Sequence, residues 1–110
     1  MSDPTLDNET GCGWREPFAL QVLGDSMEPE FPDGTIIIVE PDGVIEDGTF
    51  VVAYHDDGVI LRRLRIDGDT WRLSALNRAY PDLPISGIEQ IRGRVSQRAG
   101  RRRSERKVYA

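Results

Sequence analysis

The chain has 110 residues, enough for a single domain with one core; 38% of them are hydrophobic and the formal net charge is −5. No apolar run approaches the roughly 18 residues a membrane span needs, and the acidic start MSDPTLDNET lacks a basic patch followed by an apolar stretch, so no membrane partner and no secretory signal is expected and the expected location is the cytoplasm. One cysteine, Cys12, and one histidine, His55, exclude an internal disulfide and a zinc site built from His and Cys; no metal and no cofactor is expected.

Residues 1–17 show no hydrophobic periodicity and read as a flexible arm, in which Trp14 is the one large apolar anchor. From Phe18 onward five Asp-Gly pairs fall at 33–34, 42–43, 47–48, 57–58 and 67–68. Asp-Gly tolerates the positive φ of tight turns and, between apolar runs, is the strongest short-range hairpin signal. The runs 18–23, 35–40, 49–55, 59–66, 70–75 and 90–97 are rich in Val, Ile, Thr, Phe and Tyr and are predicted strands. Residues 26–31 are predicted to form one helical turn closed by Pro32, and Leu83, Pro84 and Ile85 a loop covering a sheet. No window of ten or more residues repeats apolar positions at i, i+3, i+4 and i+7, so no long helix is expected. The fold class is mainly β, made of short antiparallel strands and hairpins. The residues before the first strand leave no room for a helix-turn-helix, so no DNA-reading module is expected.

Charge is unevenly spread. Residues 98–107 set Arg98, Arg101, Arg102, Arg103, Arg106 and Lys107 against Glu105, a net +5, which leaves −10 on the other 100 residues. An acidic body repels phosphate backbones and a basic tail attracts them, so nucleic acid is a candidate partner only through residues 98–110. The plainer expectation is a solvated end to the domain spanning 18–97.

Residues 24–34, GDSMEPEFPDG, carry the most specific signal. A strand ends at Leu23, Gly24 permits a sharp turn, Ser26 follows at a corner, and Asp33-Gly34 returns the chain into the next strand. A serine on a tight turn after a strand, near free backbone N–H groups, is a common presentation of a nucleophile; the bland reading is that Asp25 and Ser26 cap the turn.

The wider pattern resembles the carboxy-terminal domain of the LexA-type repressors of the SOS response and the UmuD-like proteins, serine autopeptidases that share a fold with signal peptidases. The resemblance rests on GDSM (24–27), DGTIIIV (33–39), DGTFVVA (47–53), LRRLR (61–65), LSALNRAY (73–80) and IRGRV (91–95). It implies Ser26 as nucleophile, Gly24, Asp25 and Met27 as the turn that holds an oxyanion, and a homodimer through roughly residues 91–95. The family's chemistry is a Ser-Lys dyad in which a desolvated lysine takes the serine proton. The position that resemblance assigns to the lysine holds Arg62, and a guanidinium stays protonated and offers no lone pair. The one lysine, Lys107, lies in the tail, and His55 is expected near a hairpin tip, about 13 Å along the strand from the residue facing Arg62.

Members of this family cut their own arm at an Ala-Gly or Cys-Gly bond, which the bond between Cys12 and Gly13 resembles. The six residues from Phe18 to Leu23 carry the chain about 20 Å, so cleavage within one chain is strained and a neighbouring subunit is easier to reach. The preferred expectation is a degenerate peptidase-type domain that binds peptide or protein and regulates a related repressor by mixed dimers. Two readings stay open beside it: an active serine peptidase with an unrecognised base, and a nucleic-acid-associated protein acting through the basic tail.

Overall fold

In the computed structural model, which describes residues 16–56, 58–99 and 106–109, the six predicted runs and two further segments form eight strands: β1 (Phe18–Gln21), β2 (Ile36–Glu40), β3 (Phe50–His55), β4 (Gly58–Asp67), β5 (Thr70–Ser74), β6 (Leu83–Ile85), β7 (Ile91–Ala99) and β8 (Lys107–Val108). They form one sheet in the order β1-β2-β7-β3-β4-β5-β6, with β8 also on β7. Every pairing is antiparallel. Among the described residues only a 3-10 turn, Ile88–Gln90, is helical, and no helix is long and apolar enough to cross a membrane. The mainly β expectation holds.

The middle of the sheet follows from burial on both faces. Val51, Val52 and Ala53 of β3 are all buried, as a continuous apolar run demands of a central strand. One face packs Met27, Phe31, Ile37, Val39, Val52, Leu61 and Val95 with Val22, and the other packs Val51, Ala53, Leu64 and Leu73. The serine-bearing turn is thus a lid on the first of these two clusters, held by Met27 and Phe31, which are fully buried.

Turn chemistry works mostly as the Asp-Gly pairs suggest. Gly34, Gly48 and Gly68 take positive φ, and the Asp33 and Asp47 carboxylates accept the N–H groups of Gly24 at 2.6 Å and Ile66 at 2.8 Å. The β3–β4 hairpin is different. His55 pairs with Gly58, and Asp56 rather than Gly58 takes the positive φ, at 53°. The tip therefore sits one residue earlier than the pair at 57–58 suggests, because Asp is among the few non-glycine residues that tolerate this region.

Two segments depart from expectation. Leu83, Pro84 and Ile85 form β6, an edge strand whose Leu83 pairs with Leu73 and Ile85 with Trp71, instead of a covering loop. Proline is compatible with an edge, where the missing N–H costs nothing. The stretch 98–110, read as a solvated tail, is partly built into the sheet: β7 runs to Ala99, and Arg98 pairs with Lys107 and Gln97 with Val108.

The sheet also dictates one glycine by close approach. A Cβ on Gly93 would lie 2.7 Å from the Glu40 carbonyl oxygen and 2.9 Å from Val39 Cγ1, so backbone would have to move. Gly93→Ala is expected to cost roughly 1–3 kcal/mol, the usual range for overpacking, read as a lower urea midpoint at unchanged slope.

Candidate functional site

The turn that presents Ser26 is tied down from three sides. Val22 N–H donates to Thr35 O and Gly34 N–H to Val22 O, both at 2.7 Å, closing the base of the loop. Gly24 takes φ +90, open to glycine and disfavoured for other residues, and its N–H is held by Asp33. The helical turn expected over residues 26–31 is not formed as helix; the segment is a hydrogen-bonded turn in which Phe31 N–H donates to Met27 O at 2.8 Å.

The second tie comes from the 75–80 loop. Asn77 N–H donates to Ser26 O at 3.0 Å, Asn77 Nδ2 to Asp25 O at 3.2 Å, and Tyr80 O–H to Asp25 Oδ1 at 2.6 Å. The Asp25 carboxylate is thereby turned to Tyr80; that bond, and the carboxylate's charge behind it, push the phenol pKa up. Composition and periodicity give no reason to single out Asn77 or Tyr80. Their signal was the LSALNRAY segment, eight residues of which the last six, 75–80, follow β5 as a loop whose role only tertiary contact reveals.

The third tie is the returning C-terminal strand. Glu30 Oε2 accepts from Lys107 Nζ at 2.8 Å and Tyr109 O–H at 2.6 Å, and Arg98 donates to the Glu30 backbone oxygen. The Tyr109 ring lies 5.6 Å from both Phe31 and Phe50, which themselves meet edge-on at 4.9 Å. The lysine bond, then the tyrosine bond, hold Glu30 below the ordinary carboxylate value of 4.5. Burial, then Glu30, push Tyr109 above the ordinary 10.0. A depressed carboxylate stabilises the fold above pH 4.5 and loses that contribution as pH falls below it; a raised phenol stabilises below pH 10 and loses its contribution as pH climbs past it. Melting temperature is therefore expected to fall at both limits, with Glu30→Gln flattening the acid limb and Tyr109→Phe the alkaline one.

Facing the turn is β4. Arg62 pairs with Val51, as the hairpin register suggests, and its Nη1 donates to Ser26 Oγ at 3.0 Å and to Leu61 O at 2.8 Å. Arg62 Cζ stands 5.7 Å from the centre of the Tyr80 ring, a cation–π distance. Burial pulls the guanidinium somewhat below its ordinary pKa, yet arginine stays protonated in proteins. Its Nε is buried and has no partner among the described residues. Ser26 and Arg62 open onto a groove of about 340 Å³, walled by Leu20, Val22, Ile60 and Leu61.

Of the expected site residues, Gly24, Asp25, Ser26 and Arg62 come together in this groove, while the Met27 side chain points into the core with no exposure. His55 sits at the hairpin tip with Nε2 3.5 Å from Asp56 Oδ2. Lys107 is ion-paired with Glu30, and Arg106 Nε donates to Gln97 Oε1 at 3.1 Å. Cys12, Gly13, Trp14, Arg101, Arg102 and Arg103 lie outside the described residues. Among the described residues no His, Cys, Asp and Glu group with metal-ligand geometry occurs.

A single antiparallel sheet that lifts a serine on a glycine turn toward a cationic side chain in an apolar groove defines a peptidase-type domain of the LexA and UmuD kind. The Peptidase S24-like family model matches residues 6–96, and the chain belongs to that family. Over 95 residues it is 40% identical to the HTH-type transcriptional regulator for conjugative element R391 of Providencia rettgeri and, to the same degree, to that for conjugative element SXT of Vibrio cholerae. In each case the match covers 80% of this chain and 44% of the regulator. A LexA repressor of Koribacter versatilis is 36% identical over 86 residues, 76% of this chain and 41% of the repressor. The chain thus spans less than half the length of these curated relatives.

Proposed function

We propose that this domain is a peptide-binding member of the S24 family in which Ser26 does not cut, and that it acts in the cytoplasm on repressor-type proteins. The observation that carries the reading is the 3.0 Å bond from Arg62 Nη1 to Ser26 Oγ. A serine hydroxyl attacks a carbonyl only when a neighbouring group removes its proton. Here its neighbour is a donor that holds a lone pair of the hydroxyl and returns none. The candidates for a substitute base are engaged elsewhere: Asp25 with Tyr80, Lys107 with Glu30, and His55 with Asp56.

What the groove retains is the means to bind. β1 ends the sheet with its outer edge unpaired among the described residues and forms one wall of the groove, so an extended peptide can add to it as a further strand. The names of the relatives, transcriptional regulators and repressors, support a role in regulation through mixed dimers with such proteins. Of residues 91–95, Arg94 and Val95 pair with β2 and Gly93 lies against Glu40, so Ile91 and Arg92 are the part without β2 contact of this kind among the described residues and the part a second copy or a related chain would meet.

Prolonged incubation at alkaline pH followed by mass spectrometry tests the reading. The intact mass is expected to persist. A new fragment beginning at Gly13, abolished by Ser26→Ala, would establish a working peptidase instead. A sedimentation run at several concentrations reads the dimer directly.

A further inference from the structure

We infer that β8 is a regulatory strap for the groove: docked behind the serine turn it holds Ser26 in place, and released it loosens the groove and weakens what binds there. The inference rests on the peptide-binding reading above and adds how that site is controlled. The turn over residues 24–34 has two flanks. On one, Gly24, Asp25 and Ser26 line the groove. On the other, Glu30 Oε2 accepts from Lys107 Nζ and Tyr109 O–H, and the Phe31 ring meets the Tyr109 ring at 5.6 Å. Two backbone bonds join the flanks, Glu28 N–H to Asp25 O at 3.3 Å and Phe31 N–H to Met27 O at 2.8 Å. Residues 25–31 are thus stitched together over the fully buried Met27 and Phe31, and a shift at Glu30 is carried to Ser26 instead of being absorbed on the way.

The attachment of β8 lets it open by itself. Its two residues, Lys107 and Val108, pair with Arg98 and Gln97 and are both exposed. Beyond that pairing its hold centres on Tyr109. The Tyr109 N–H donates to Ser96 O at 2.8 Å, its carbonyl accepts from Arg94 Nη2 at 3.0 Å, and its ring and hydroxyl meet Phe31, Phe50 and Glu30. β7 itself is secured without β8, by β2 along residues 94–99 and by β3 along residues 91–94. A two-residue strand laid on one already paired can leave while the sheet stays closed, and segments with so few buried contacts open at the low end of the stability range. The turn is the element that both sites bias. A peptide binds a fixed turn without the cost of ordering it, and by linkage its binding tightens the strap in return.

Hydrogen exchange on the full chain tests the strap before any ligand is added. Three places report: the residue-109 amide, bonded to Ser96 O, for the strap; the Asn77 amide, bonded to Ser26 O, for the groove side of the turn; and the amides of β5, which pairs with β4 and β6, for the sheet. Lys107→Glu sets a second carboxylate against Glu30 without touching the core. It is expected to speed exchange at residue 109 and, by about fivefold or more, at Asn77, with β5 unchanged. Tyr109→Ala removes the ring as well and should give the same order with a larger effect. Both variants should weaken binding of a fluorescent library of random eight-residue peptides by a factor matching the change at Asn77. Fast exchange at residue 109 with Asn77 unchanged would overturn the inference, as would a strap that opens only together with β5. Library binding by the parent chain that neither variant weakens would overturn it too. Faster exchange at Asn77 in a chain whose parent binds no library peptide would support the coupling and bring down the peptide-binding reading alone.

Discussion

Tyr109→Ala is expected to destabilise the domain by about 3 kcal/mol, at the lower end of what removing a buried aromatic side chain costs because Tyr109 keeps some exposure. The ring closes a trio with Phe31 and Phe50, and its hydroxyl caps Glu30 at 2.6 Å. Aromatic contacts of this kind add roughly 0.5–1.5 kcal/mol beyond area alone. Tyr109→Phe keeps the trio and loses one hydrogen bond to a charged group, so about 1.5–3 kcal/mol bounds its cost from above. The alanine variant should also speed amide exchange at Phe31 and Gly34, whose N–H groups bond Met27 O and Val22 O within the serine turn. Stability within about 0.5 kcal/mol of the parent, with unchanged exchange at those two amides, would show that β8 is not docked in solution. The reason to expect a large effect is connectivity: Glu30 and Phe31 lie four and five residues after Ser26, so the C-terminal strand holds the turn from behind.

That latch is also where the sequence is hardest to read. The strands β1 to β5 and β7 are legible because each is a run of β-branched and aromatic residues between turn formers, and burial on a pleated face favours those residues. Lys107 and Val108 lie at the end of a run of Arg, Ser and Glu whose composition signals solvation, and the one apolar clue, Val-Tyr, is too short to carry a periodicity. Only the partner strand, supplying Gln97 and Arg98, makes it a strand. The proline in β6 concealed a second strand in the same way. For the site, the turn at Ser26 was readable from its glycine and Asp-Gly spacing, while its proximity to Arg62 was implied only by the resemblance, which puts the family's lysine at that position; hairpin register adds that Arg62 faces Val51. The clamp by Asn77 and Tyr80 was not readable, since loop side chains are placed by tertiary contacts and leave no spacing rule in the chain.

Arg62→Lys is expected to give the chain a slow cleavage activity that rises with pH. The substitution replaces a donor fixed in its charge with an amine whose charge the groove can remove. Burial already depresses Arg62 itself. The same desolvation acting on an ammonium favours the neutral amine, and a neutral amine beside Ser26 Oγ has the lone pair that proton transfer requires. Lysine is shorter in reach than the guanidinium fork and makes no bidentate contact, so Ser26 Oγ loses a tight donor as it gains an acceptor. The rate should therefore climb from neutral pH toward pH 10 and disappear in the double variant Arg62→Lys, Ser26→Ala. The bond to watch is Cys12 to Gly13, and a second-order dependence on protein concentration would mark cleavage between chains. Mass spectrometry after extended incubation reads both the fragment and its concentration dependence. If the lysine variant folds, binds peptide and still cuts no bond at any pH, then the Arg62 cation is not what keeps Ser26 silent, and the missing element lies in how the turn presents its N–H groups to the carbonyl.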